Sequence, residues 1–263
     1  MMQEESRSAA EGADARKYRA PALEKGLDVL ELLAAHGAAM TPSQMSSVLG
    51  RSVSELFRMI QVLEYRGYIE QTSAGYSLTN RLFALGLAQA PVKSLTEAAL
   101  PHMRDLAAQT RQSCHLVVLS DDQIVVIARI EGPGDLGYSV RLGYRRAVID
   151  ATSGLLLFGM GSATVKAELR QKLERRFPPE RIAAFVKAAE AAAAQGHVER
   201  PSDFVQGVTD LAAPVLGGDG AVATLISPYI QQTPPTCDMA TAAVLVRRAA
   251  AAISDELGPV SEA

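Results

Sequence analysis

Residues 41–78 read TPSQMSSVLGRSVSELFRMIQVLEYRGYIEQTSAGYSL, and the punctuation of this stretch decides the fold of the first domain. Thr41-Pro42-Ser43-Gln44 is a helix start: Thr41 can cap, Pro42 suits the first helical position, and Gln44 stands at capping-box spacing. That helix runs to about Leu49 and stops at Gly50. After the tight turn Gly50-Arg51-Ser52, a further helix is predicted from about Ser52 to Tyr65, with Leu56, Ile60 and Leu63 on one face. From Gly67 to Leu78 two short alternating stretches flank a turn, which predicts a β-hairpin. Upstream, Leu23, Leu27, Leu30 and Leu33 recur at helical spacing, with Pro21 suited to a first turn and Gly37 to a C-cap. Three helices followed by a hairpin make a winged helix-turn-helix.

Working outward, residues 1–17 are polar and mixed in charge and read as a disordered tail, so the winged domain spans 18–79. A helix is expected from Asn80 to Ala90, ending before Pro91, with residues 80–93 forming a linker. A second domain, 94–258, opens with a helical pattern over 94–110 that contains Pro101, for which a kink is predicted. The period then changes: His115–Leu119 and Ile124–Ile130 are β-branched runs around Asp121-Asp122, and Tyr138–Leu142 reads as a third strand. Gly154–Met160 and Arg181–Ala194 are helix formers, Leu211–Val215 and Val222–Ser227 are strands split by a glycine-rich turn, and a last helix covers about Asp238–Leu257. The fold class is therefore α+β, a winged helix-turn-helix followed by a sheet-and-helix sensor domain.

Composition narrows the function classes. The 263 residues are 48% apolar and carry a formal charge of −3. Residues 16–90 nevertheless hold eight Lys/Arg against six acids, a local +2, as expected if this part docks on phosphates while the rest stays clear of them. The two cysteines, Cys114 and Cys237, stand far apart and outside any CxxC or Cys/His spacing, so neither a disulfide framework nor a metal site is expected and a reducing cytoplasm fits. No run approaches the length of a membrane helix, and the first residues lack the apolar stretch of a secretory signal. An enzyme is the rival class, yet no GxSxG, HExxH, Walker A or GxGxxG motif is present, and Cys114 and His115 would point to opposite faces of a strand.

A helix entering the major groove needs short polar or basic side chains on its leading face and apolar ones behind. Ser52–Tyr65 meets that requirement. Arg58 is the candidate for a guanine edge or a phosphate, Ser52 and Ser54 for phosphate, and Glu55 for a cytosine amino group, with Arg51, Gln71, Thr72 and Ser73 gripping the flanking backbone. The same pattern also suits an amphipathic helix with a solvated face, or a winged helix used as a protein contact.

ALEKGLDVLELL, TPSQMSSVLGRSVSELFRMIQVLEYRGYIE and GYSLTNRLFALG, followed far downstream by GVTDLAAPVLGGDGAVATL, resemble in order and spacing the IclR family of bacterial transcriptional regulators. The resemblance covers almost the whole chain from Pro21 onward. It implies a GAF-like effector domain, assembly into dimers or tetramers on a pseudo-palindromic double-stranded operator, and a small organic acid or aromatic effector, with no cofactor. It also exposes departures. Family members commonly carry a cysteine at the position of Asp210, and a histidine and a lysine at those of Ile149 and Leu155. Members that bind small carboxylic acids use an acidic residue near Arg200 and serines where this chain aligns Ile226 and Pro228. The resemblance thus implies a more apolar pocket, suited to an aromatic or hydroxyaromatic acid.

Within that pocket, Ala151, Thr152, Ser153 and Gly154 precede a helix whose first amides are free to receive a carboxylate, although Thr152 or Ser153 can equally cap the helix. Tyr138, Leu142, Tyr144 and Leu225 are candidate walls, or plain core. Arg129, Arg141 and Arg145 are candidates for steering an anion. Asp210 is expected either to accept a ligand hydroxyl, to be compensated by Arg200, or to face away.

Overall fold

The computed structural model describes residues 20–87, 90–133, 137–232 and 237–258; the tail assigned to 1–17 lies outside them. Contacts divide the chain between Gln89 and Ala90 into two compact units.

The first unit holds α1 (Pro21–His36), α2 (Pro42–Leu49), α3 (Val53–Tyr65), β1 (Ile69–Thr72), β2 (Gly75–Leu78) and α4 (Arg81–Leu87). Both central helices begin at capping boxes. Thr41 and Gln44 bond reciprocally at the start of α2, and Ser52 and Glu55 do so at the start of α3, satisfying amides that a helix start leaves without partners. Gly50 ends α2 at φ 63, a left-handed conformation that glycine adopts without a steric penalty. Val29 and Leu33 of α1, Met45 of α2, Leu56 and Ile60 of α3 and Ile69 of β1 form the core. The backbone of Met40 pairs with Tyr76, tying the hairpin to the approach to α2.

The second unit holds α5 (Ala90–Thr110), β3 (Cys114–Ser120), β4 (Gln123–Ile130), β5 (Arg145–Ala147), α6 (Thr152–Gly159), α7 (Ala163–Glu174), α8 (Pro179–Gln195), β6 (Val198–Pro201), β7 (Val208–Gly217), β8 (Gly220–Ile230) and α9 (Met239–Leu257). Its six strands form one antiparallel sheet in the order β5-β4-β3-β8-β7-β6. Side chains alternate across a strand, so Leu116 and Leu225 pack with Met103, Leu106, Val246 and Ile253 of α5 and α9. Their neighbours Val117 and Ile226 pack on the other face with Leu156, Phe158 and Phe185.

Several expectations are corrected here. Tyr138–Leu142 is not a strand. The chain turns at Gly143, bonds to Val126 of β4 through the backbone of Gly143 and Tyr144, and forms a strand at Arg145–Ala147, and Tyr138 and Val140 line a cavity. Both helices expected about Pro91 are present with other bounds: α4 stops at Leu87 in the described residues, and α5 begins at Ala90 and not at 94, with Pro91 in its first turn, where a missing N–H costs nothing. Pro101 is accommodated inside α5. Neither α7 nor β6 was foreseen.

Candidate functional site

Two surfaces collect the polar chemistry, one in each unit. On α3 the inward stripe is Leu56 and Ile60, both fully buried, and the outward stripe is Ser54, Phe57, Arg58, Gln61 and Tyr65, as three-to-four spacing requires. Arg58 is exposed and has no ion-pair or hydrogen-bond partner among the described residues. The other candidates are differently employed. Glu55 accepts from the Ser52 backbone N–H at 3.0 Å and from the Ser52 hydroxyl at 2.9 Å, and pairs with Lys25 Nζ at 2.9 Å. The Lys25 contact and those bonds hold its carboxyl at about 2. Arg51 donates to Asp28 at 2.7 Å. Thr72 donates to the Gly75 carbonyl at 2.8 Å within the wing turn, while Gln71 and Ser73 are exposed. Ser52, Glu55, Arg51 and Thr72 thus build the scaffold, where the sequence had suggested free contacts. Phe57, 48% exposed beside Arg58, went unremarked because apolar residues of a helix are read by default as core.

In the second unit a cavity opens on the sheet face opposite α5 and α9, lined by residues of β3, β4, β8 and the start of α6. Its floor is apolar, from Val117, Ile124, Val126 and Ile226, and its rim carries Tyr138, Tyr144 and Phe204. At one side Arg146 of β5 lies with its guanidinium carbon 4.3 Å from the centre of the Phe204 ring, and its Nη1 is buried without a hydrogen-bond partner. Phe204 in turn meets Tyr144 edge to face at 5.9 Å. At the other side Thr152 donates its hydroxyl to Asp210 Oδ2 at 2.8 Å. Burial pushes the Asp210 carboxyl above the ordinary carboxylate value, and the hydrogen bonds from Thr152 and Ser202 and the charge of Arg200 offset only part of that. His115, on the floor, is held at about 4 by burial and is therefore neutral at pH 7.

The model for the IclR helix-turn-helix domain matches residues 22–73, and the model for the bacterial transcriptional regulator IclR C-terminal domain matches residues 89–255. The chain belongs to the IclR family. It is a DNA-binding, ligand-responsive transcription regulator and not an enzyme. As an IclR protein it is 27% identical over 186 residues to the HTH-type transcriptional regulator KdgR of Escherichia coli K12, covering 68% of this chain and 71% of that one. It is 27% identical over 248 residues to the glycerol operon regulatory protein of Streptomyces griseus, covering 90% and 96%. Among solved structures, an IclR homologue from Microbacterium hydrocarbonoxydans complexed with 4-hydroxybenzoate shares the fold at a TM-score of 0.72 and 23% identity, covering 90% and 98% of the two chains. Among the described residues no helix is long and apolar enough to cross a membrane, and no three His, Cys, Asp or Glu cluster as metal ligands do.

Of the residues expected around the effector, Tyr138, Tyr144, Ala151, Thr152, Ser153, Asp210 and Ile226 do line the cavity. Six do not. Leu142 is 58% exposed, beyond the rim. Gly154 and Leu155 belong to α6 itself, where Gly154 lies against the Val148 backbone and Leu155 packs into the core, and Ile149 packs on that core from the turn before the helix. Leu225 belongs to the core on the opposite sheet face, one residue out of phase with Ile226. Arg200 is bonded through Nη2 to both oxygens of Asp203 at 2.8 Å. The steering arginines also fall elsewhere: Arg129 pairs with Glu131, Arg145 with Gln123, and Arg141 is exposed. The cation in the cavity is Arg146, and placing the strand at Arg145–Ala147 would have found it, since neighbours on a strand face opposite sides.

The raised Asp210 carboxyl has a consequence for stability. Between the ordinary carboxylate value and its own, the native chain holds a proton that the unfolded chain has released, so this group's contribution to stability falls as pH rises through that window. Asp210→Asn is expected to raise the melting temperature at pH 7, with the gain shrinking toward zero below the ordinary carboxylate range. Melting curves of both proteins across pH 3 to 8 check it; a loss of stability at pH 7, or a gain independent of pH, would contradict the electrostatic account.

Proposed function

We propose that this IclR regulator binds a pseudo-palindromic operator as a dimer or tetramer and is controlled by a small aromatic or hydroxyaromatic carboxylic acid seated in the second-unit cavity. The observation that carries this reading is a buried, unpartnered guanidinium atom at the edge of an apolar floor rimmed by three aromatic rings. Leaving a buried donor without an acceptor is costly, and a flat anionic ligand supplies both the acceptor and an apolar face for the floor. The 4-hydroxybenzoate bound by the Microbacterium homologue is the first probe to try.

On the DNA side, the outward face of α3 enters the major groove, Arg58 reaching a guanine edge and Phe57 meeting a thymine methyl group. Gln71 and Ser73 of the wing meet the flanking backbone. Arg58→Ala is expected to weaken specific binding by about 1 to 3 kcal/mol with no fall in melting temperature. Glu55→Ala acts differently, lowering the melting temperature of the first unit by removing a capping box and the partner of Lys25. Both are read by gel shift and thermal melting on a duplex selected from a random pool. If Arg58→Ala binds that duplex as tightly as wild type, Arg58 leaves the contact set; if no duplex is selected, the winged helix is a protein contact.

A further inference from the structure

We infer that the cavity reads its ligand end to end across the sheet, with Arg146 on β5 taking the carboxylate and Asp210 on β7 taking a hydrogen-bond donor carried at the far end of the same ring. This rests on reading the cavity as an aromatic-acid site and adds the orientation, the two discriminating residues and the substitution pattern.

Strand order sets the two charged residues on different sides of the cavity: β4, β3 and β8 lie between Arg146 on β5 and Asp210 on β7, and both side chains line the cavity. Their rows differ as well, since Arg146 pairs with Ile124, which lies opposite Leu119, whereas Asp210 pairs with Pro228, two residues beyond the Ile226 that lies opposite His115. A ligand that meets both must carry its two polar groups on opposite sides of the ring. Between them the floor offers only apolar surface and the neutral His115.

The chemistry of the two ends is complementary and fixes the direction. The guanidinium of Arg146 lies over the Phe204 ring, and Nη1 has no acceptor among the described residues; a carboxylate matches the planar donor fork of an arginine. Asp210 already takes one hydroxyl from Thr152, and a carboxylate has lone pairs for further donors. Thr152 and Asp210 stand together at the first turn of α6, so a ligand carboxylate placed at those helix amides would lie beside a second carboxylate. The orientation expected from the helix start alone is therefore reversed. The carboxylate goes to β5, and the hydroxyl or amino group goes to α6 and β7.

Calorimetric titration of the full chain tests this with benzoate, 2-hydroxybenzoate, 4-hydroxybenzoate, 4-aminobenzoate and the uncharged 4-hydroxybenzyl alcohol. Wild type is expected to bind 4-hydroxybenzoate and 4-aminobenzoate more tightly than benzoate or 2-hydroxybenzoate. Arg146→Gln should weaken every acid by roughly 10- to 100-fold and leave the alcohol unchanged, with Arg146→Lys recovering part of the loss. Asp210→Ala should bring the ratio of 4-hydroxybenzoate to benzoate affinity close to one, and melting curves establish that each variant is folded. Should Asp210→Ala fail to fold, Asp210→Asn, which keeps the shape and loses the charge, should still lower the ratio. Undiminished acid binding by Arg146→Gln, an unchanged ratio in the Asp210 variant that folds, or a preference for the 2-hydroxy isomer would overturn the end-to-end assignment while leaving the aromatic-acid reading intact. Wild-type protein that binds none of the five, or only two- and three-carbon acids, overturns the cavity reading itself.

Discussion

Gly154→Ala is expected to destabilise the second unit by about 3 kcal/mol, a fall in melting temperature of roughly 6 to 12 °C for a unit of this size. Gly154 is the third residue of α6, and a Cβ added there would overlap the carbonyl oxygen of Val148 and lie 2.9 Å from Val148 Cγ2. Neither neighbour can yield. Val148 is fully buried, and its carbonyl accepts from the Ala151 N–H at 3.3 Å in the turn that leads into α6. Residues Thr152 to Phe158 of α6 are all buried, so the helix has no free direction in which to shift. Displacing it moves Thr152 and Ser153 at the cavity, and effector binding should fall with stability. Thermal melting and titration with 4-hydroxybenzoate measure both; a melting temperature within about 2 °C of wild type would show that the α6 start is looser than its packing implies.

Leu56→Ala is expected to cost the first unit about 3 kcal/mol. Leu56 is fully buried among Val29, Met45, Ile60 and their neighbours, and a core this small has little area with which to offset a cavity. For a unit of fewer than 100 residues the melting temperature should drop by roughly 12 to 24 °C, and operator binding should disappear at temperatures where wild type still binds. The second unit has its own two cores and should keep its effector affinity unchanged. Two-probe melting, with gel shift for the first unit and calorimetry for the second, checks this. Loss of effector binding in parallel with operator binding would mean that the two units do not fold independently.

How much of this was legible beforehand depended on whether the signal was local. The capping box at Thr41 and Gln44, the Gly50 stop and the wing hairpin are each written within a few residues, and each reads correctly. The box at Ser52 and Glu55 has the same spacing, but those residues also suit base and phosphate contacts, and only the Lys25 contact from 30 positions away shows how Glu55 is employed. In the second unit the difficulty is long-range. Whether Leu225 or Ile226 faces the cavity is a matter of strand phase, set by the pairing of His115 with Ile226 across β3 and β8. Arg146 escaped notice because the strand was expected seven residues too early, at Tyr138. Phe204 lies in an irregular stretch whose sequence carries no period, so nothing local marks it as the ring beneath Arg146. Asp210 was singled out because it departs from the family pattern, but its bond to Thr152 spans 58 positions and depends on the tertiary fold.

The most direct test of ligand-responsive DNA binding is the coupling between the two sites. Operator affinity is measured with and without saturating 4-hydroxybenzoate, and 4-hydroxybenzoate affinity is measured with and without saturating operator. Linkage requires the two ratios to be equal, and the expected ratio differs from one by at least about fivefold, the lower end of ordinary allosteric couplings. Operator affinity that stays the same while the acid demonstrably occupies the cavity would contradict the account.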